Sequence, residues 1–134
     1  MLGEVFNTEK VTGIGGIFVK AENPTELQKW YQDKLGVPVG EDGYTMFHWR
    51  EADAPEKLGQ TVWSLFPRET TYFAPSRSSW MVNYRVENLE RMLGQLRAAG
   101  VTIEGEAVEE YGRFAWVLDP EGNKVELWEP PAAA

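Results

Sequence analysis

One local pattern occurs twice in this chain, and that repetition constrains the fold more than any other feature. FVKAENPTELQKW, from Phe18, aligns with NYRVENLERMLGQL, from Asn83. Lys20-Ala21-Glu22-Asn23 matches Arg85-Val86-Glu87-Asn88, and both following helices end at Gly-Val, at Gly36-Val37 and at Gly100-Val101. Further on, GQTVWSLF from Gly59 matches GNKVELWE from Gly122. Three landmarks in the same order mark a duplicated supersecondary unit.

Each unit reads as a strand, a helix and then further strands. GIFVKA alternates, with Ile17, Val19 and Ala21 on one side and Gly16, Phe18 and Lys20 on the other. Asn23 is a helix N-cap, followed by Pro24 at the first helical position and Glu26 three residues after the cap. Leu27, Trp30, Tyr31 and Leu35 recur at helical spacing, and Gly36 supplies the left-handed stop. In the second unit Asn88 caps, Leu89, Met92, Leu93 and Leu96 form the stripe, and Gly100 ends it. Later strands are predicted at Val39–Gly40, Tyr44–Trp49 and Thr61–Phe66, then at Thr102–Val108, Arg113–Leu118 and Lys124–Trp128. READAPEKLGQ is a polar loop, and Asp119–Asn123 is a hairpin turn with Pro and Gly at its bends.

The expected fold class is α+β: two βαβββ modules forming an open partial barrel with a central cleft. The 134 residues suit one domain, with module one at about 13–66, a linker at about 67–79 and module two at about 80–129. The tail EPPAAA should be peripheral. Helices cover the outer sheet faces, inner faces line the cleft, and function should lie there.

Composition narrows the function classes. A net charge of -8 disfavours nucleic acid and anionic membranes, and suits solubility or a neutral or cationic small ligand. The absence of cysteine removes disulfides, thiolate metal sites and cysteine nucleophiles. With no bilayer-length apolar run and no signal pattern in MLGEVFNTEK, the cytoplasm is the expected compartment. Aromatic residues make up 13%, enough for a core and a ligand-binding wall.

Strand parity assigns the cleft. Ile17, Val19, Ala21, Val82, Tyr84 and Val86 belong under the helices, leaving Gly16, Phe18, Lys20, Met81, Asn83 and Arg85 inward. Matching Val62 with Val125 places both under the helices and turns Trp63 and Glu126 inward, beside Thr61, Leu65, Lys124 and Trp128. Glu126 then either pairs with Lys124 or Arg85 on a wet sheet face or points at a ligand that needs a charge.

GIGGIFVKAENPTELQKWYQDKLGV, MVNYRVENLERMLGQLRAAGV and GRFAWVLDPEGNKVELWEP together resemble the vicinal oxygen chelate superfamily, which includes glyoxalase I, extradiol dioxygenases and bleomycin-resistance proteins. The resemblance implies paired βαβββ modules, a cleft between them and frequently a homodimer. In metal-binding members one ligand comes from the first and last strand of each module, which corresponds to Gly16, Trp63, Met81 and Glu126 here. Only Glu126 suits a divalent ion, whereas a catalytic ion wants three or more protein ligands. The chain is therefore similar to metal-free members that hold small molecules in an aromatic, acidic cleft, with no metal and no cofactor expected.

The expected function is metal-independent binding of a neutral or cationic small molecule by Phe18, Trp63, Met81, Asn83, Glu126 and Trp128. Two alternatives stay open. In an enzyme of lyase, isomerase or oxygenase type, Glu126 would be a general base, joined by His48, the sole histidine, or part of an atypical metal site. In a structural or partner-binding module, Trp63 and Met81 would plug the cleft. His48 shares parity with Met46 and Arg50, and the sequence leaves open which side of that strand faces inward. GIGG lacks the following helix of a dinucleotide fingerprint, PSRSS lacks a triad context, and Arg113 in YGRFAW is either solvated or near a ligand anion.

Overall fold

A computed structural model describes residues 8–132. Module one contains β1 (Val11–Ala21), α1 (Pro24–Leu35), β2 (Tyr44–Arg50) and β3 (Leu58–Pro67). Module two contains β4 (Trp80–Val86), α2 (Leu89–Ala98), β5 (Gly105–Glu109), β6 (Gly112–Leu118) and β7 (Lys124–Glu129). All seven strands join one mixed sheet in the order β2-β3-β1-β4-β7-β6-β5. The sheet is not closed, and the α+β class holds. The tail's last two residues, and the N-terminal residues read for a signal up to residue 7, lie outside the described residues. Among the described residues no helix is long and apolar enough to cross a membrane.

Both helices start where their caps predict. The Asn23 side chain accepts from the Glu26 N–H at 3.1 Å, and the Asn88 side chain accepts from the Arg91 N–H at 3.0 Å. Gly36 ends α1 at φ 71°, a left-handed conformation that costs glycine little. Val39–Gly40 forms no strand, because Gly40 is drawn into the turn that delivers the chain to Tyr44.

The modules are covered unequally. Leu89, Met92 and Leu93 of α2 pack on Val86, Ala115 and Leu127, with Tyr84, Leu96, Ile103 and Val125 around them. That cluster is the main core. By contrast α1 buries no residue fully, and its Tyr31 ring packs edge-on against Trp63 of the sheet, 4.8 Å between centroids.

This contact corrects one sequence assignment. Trp63 faces α1, not the cleft, and Val62 faces inward instead of lying under the helix. The repeat match between the closing strands slips by one residue in module one. With a side-chain period of two, one residue reverses every orientation. Phase in β3 is set by its parallel pairing with β1, where Gly16 partners Val62, and β1 carries register shifts at its start, between Val11 and Gly13 and between Ile14 and Gly16. Thr61 and Leu65 share the parity of Trp63 and leave the inward set with it.

Candidate functional site

Sheet register lines up the cleft floor in rows. One row runs Trp116, Glu126, Asn83, Gly16, Val62 and Met46, each the Cα partner of the next. The adjacent row begins Phe114, Trp128 and Arg85. All of these but Gly16 and Arg85, together with Phe18, Ser64 and Phe66 of module one and Tyr72 of the linker, line a cleft of about 640 Å³. That is the size of a small-molecule site. Trp63 is outside this space and Met81 is wholly buried without lining it, so neither plugs it.

Glu126 is 2% exposed at the centre of this floor. Three donors from three elements converge on it. The Tyr72 hydroxyl and the Trp116 Nε1–H, the latter at 2.9 Å, both donate to Oε1. The Asn83 amide donates to Oε2 at 2.8 Å. An acceptor-only carboxylate has about four lone-pair sites, so one site on Oε2 is left over. Burial, and then the nearby Glu126 charge, push the Tyr72 phenol well above its ordinary value, so it stays a donor.

None of the three donors carries a formal charge, and Glu126 makes no ion pair among the described residues. Lys124 approaches but turns aside. Its ammonium lies over the Tyr72 and Trp116 rings, at 5.6 and 5.5 Å, and donates to the Tyr72 carbonyl at 2.8 Å. Burial lowers its pKa, against the attraction of Glu126 and Glu104. Beside the carboxylate, the Asn83 Oδ1 is buried with no hydrogen-bond partner. The floor thus presents a buried negative charge and two unmet acceptor positions.

Gly15 makes the floor possible. A Cβ there would collide with Asn83 Oδ1 and lie 2.8 Å from Arg85 Cγ and 2.9 Å from Trp128 Cε3. The GIGG stretch is thus a place where side chains from β4 and β7 cross close to the backbone of β1.

The divalent metal of the superfamily's metal-binding members does not fit these residues. Gly16 offers no side chain, Trp63 is turned away, Met81 is a poor ligand, and O–H and N–H donors crowd Glu126 where other ligands would be needed. Among the described residues no group of three His, Asp or Glu side chains is placed to hold an ion. His48 lies opposite Gln60, which lines the cleft, and therefore on the same sheet face. It is solvent-exposed and is not part of the lining. Arg113 is exposed in β6.

Of the residues singled out from sequence, Phe18, Asn83, Glu126 and Trp128 come together in the cleft, and Trp63 and Met81 do not line it. Two partners of Glu126 were missed. Trp116 was recoverable, since counting outward from the Asp119–Asn123 turn pairs it with Glu126. Tyr72 was not, because it comes from an irregular linker with no period to read.

No curated protein sequence matches the chain. Solved structures resemble it in fold. Methylmalonyl-CoA epimerase from Mycobacterium tuberculosis is 21% identical, over 92% of this chain and 91% of that one, at a TM-score of 0.55. A Streptomyces coelicolor methylmalonyl-CoA epimerase variant in complex with 2-nitronate-propionyl-CoA is 14% identical, over 92% and 98%, at a TM-score of 0.66. A glyoxalase/bleomycin resistance protein/dioxygenase superfamily member from Vibrio splendidus 12B01 is 14% identical, over 91% and 99%, at a TM-score of 0.55. A family model for the glyoxalase-like domain matches residues 16–128, the span holding both modules and the cleft, and this chain belongs to that glyoxalase-like family, within the vicinal oxygen chelate superfamily.

Proposed function

We propose that this protein binds a small aromatic molecule bearing a cationic or N–H donor group, without a metal. The observation that carries the reading is Glu126, a buried carboxylate with three neutral donors, no ion pair and one acceptor site unused. An unpaired buried charge is costly, and a cation delivered by a ligand offsets that cost. Asn83 Oδ1 supplies a second acceptor beside it. Phe18, Phe66, Phe114, Trp116 and Trp128 supply flat apolar walls, which favour an aromatic body and add cation–π attraction of about 0.5–2 kcal/mol for its charged group.

Benzylamine is a suitable probe. It is expected to raise the melting temperature in a thermal-shift titration, with about 2.7 kcal/mol of stabilisation at a hundred times its Kd. Glu126→Gln is expected to weaken it at least tenfold, and chelators and divalent ions should leave the melting temperature unchanged. A stoichiometric metal found by elemental analysis and lost in Glu126→Ala would overturn the reading, as would benzylamine that binds both proteins alike.

General-base catalysis by Glu126 has less support. Three of its acceptor sites are occupied, so an abstracted proton must reach the single site left on Oε2.

We also propose that two copies pair in solution. Met46, Phe47 and Leu58 stand exposed on the β2–β3 edge of the sheet, and burying such residues favours association. Light scattering should give about twice the 15.2 kDa chain mass. A monomer mass across the micromolar range would refute pairing.

A further inference from the structure

Charge in the cleft lining is all of one sign. Glu126 and Glu109 both line the space, and neither makes an ion pair among the described residues. Among the described residues no lysine, arginine or histidine lines it to offset them. Glu126 is 2% exposed in the floor, whereas Glu109 is exposed at the end of β5. Asn83, also 2% exposed on that floor, keeps an acceptor, Oδ1, with no partner. Water solvates Glu109 while the cleft is open. A ligand that fills the cleft displaces that water, so a ligand with one cation leaves the second carboxylate uncompensated.

Register sets the span between the two acids. Glu126 is the Cα partner of Trp116, and Glu109 is the partner of Gly112, further along β6. Four residues of strand and two interstrand steps put the two Cα atoms about 16 Å apart. Rings of the lining follow one another between them. Trp116, which donates to Glu126, is parallel to Phe114 within 13° at 6.4 Å between centroids, and Phe114 meets the Tyr111 ring edge-on at 5.6 Å. Such rings attract a cation as well as an apolar body. The far end is held in place. Trp128 Nε1–H donates to the Tyr111 carbonyl at 2.8 Å. That approach needs Gly112, where φ is 132° and a Cβ would collide with the Trp128 indole nitrogen. The hairpin that carries Glu109 is therefore docked against the floor.

We infer that the cleft takes a dication: an elongated aromatic molecule with one ammonium group at Glu126 and a second at Glu109. This inference rests on the proposed binding of an aromatic amine at Glu126 and narrows its class.

Two probes of equal length test it, 4-phenylbenzylamine with one amine and 4,4′-bis(aminomethyl)biphenyl with two, titrated into the full chain by calorimetry at low salt. The diamine is expected to bind at least fivefold tighter, with the advantage shrinking as salt is raised. Glu109→Gln should cut that advantage to about the twofold that two equivalent ends give by statistics, and leave the monoamine unchanged, which also shows that the variant is folded. Glu110→Gln removes one charge from the neighbouring exposed residue, outside the lining, and should leave the advantage intact. If the diamine advantage in the wild type is twofold or less, or if Glu109→Gln and Glu110→Gln reduce it equally, the second contact is refuted. The reading at Glu126 then still stands, provided Glu126→Gln weakens the monoamine. If neither amine binds, or if both bind Glu126→Gln as they bind the wild type, the two ideas fall together.

Discussion

Glu126→Ala is expected to lower the unfolding free energy by about 3 kcal/mol, from three groups that lose their acceptor at once. Tyr72, Trp116 and Asn83 all donate to this carboxylate, and each orphaned donor costs on the order of 1 kcal/mol or more. Removing an unpaired buried charge, and admitting water from the cleft, returns some of that. The melting temperature should fall by about 10 °C, checked by calorimetry. Glu126→Gln should behave differently and cost no more than about 1 kcal/mol. Its amide oxygen still accepts from Tyr72 and Trp116, and its NH2 meets an Asn83 amide that can rotate to present the unpartnered Oδ1. Equal losses in the two variants would show that charge, not hydrogen bonding, holds the floor together. The pair also separates folding from binding, because the glutamine keeps the scaffold and removes the charge that the proposed ligand would meet.

Gly15→Ala is expected to cost about 2–3 kcal/mol, the upper range for one added carbon in a packed site, and to abolish benzylamine binding. The new methyl group would occupy the space of Asn83 Oδ1 and press on Arg85 Cγ and Trp128 Cε3. None of these is the free end of a mobile surface chain. Asn83 is 2% exposed and Trp128 is buried. Relief requires Asn83 to move, and it then loses its 2.8 Å bond to Glu126. Gly94→Ala provides the control, since a Cβ there meets nothing within 4 Å and its helical position should gain slightly from the exchange. Denaturant unfolding of the two variants checks the stability difference, and calorimetry checks the binding. A Gly15→Ala protein as stable as the wild type, with binding intact, would show that β1 can shift to admit the carbon.

Much of the molecule was legible before any coordinates. The repeated Asn caps, the Gly-Val helix ends and the apolar stripe of α2 depend on interactions within a few residues, which a linear pattern records. So does the inward direction of Glu126, because the hairpin turn at Asp119–Asn123 pins the phase of β7 a few residues away. Phase in β3 depends on pairing with β1 across more than forty residues, including register shifts in β1 and the pull of Tyr31 on Trp63. A period of two cannot reveal a one-residue slip of that kind, and Trp63 was turned to the wrong side. Two neighbours of the charged residues Glu126 and Arg85 were hidden for the same reason. Tyr72 reaches Glu126 from an aperiodic linker, and Trp49 reaches Arg85 from the far module. Local chemistry wrote the elements and one carboxylate's direction into the chain. Long-range register and close backbone approach at glycine set what surrounds that carboxylate, and those contacts exist only once both modules share a sheet.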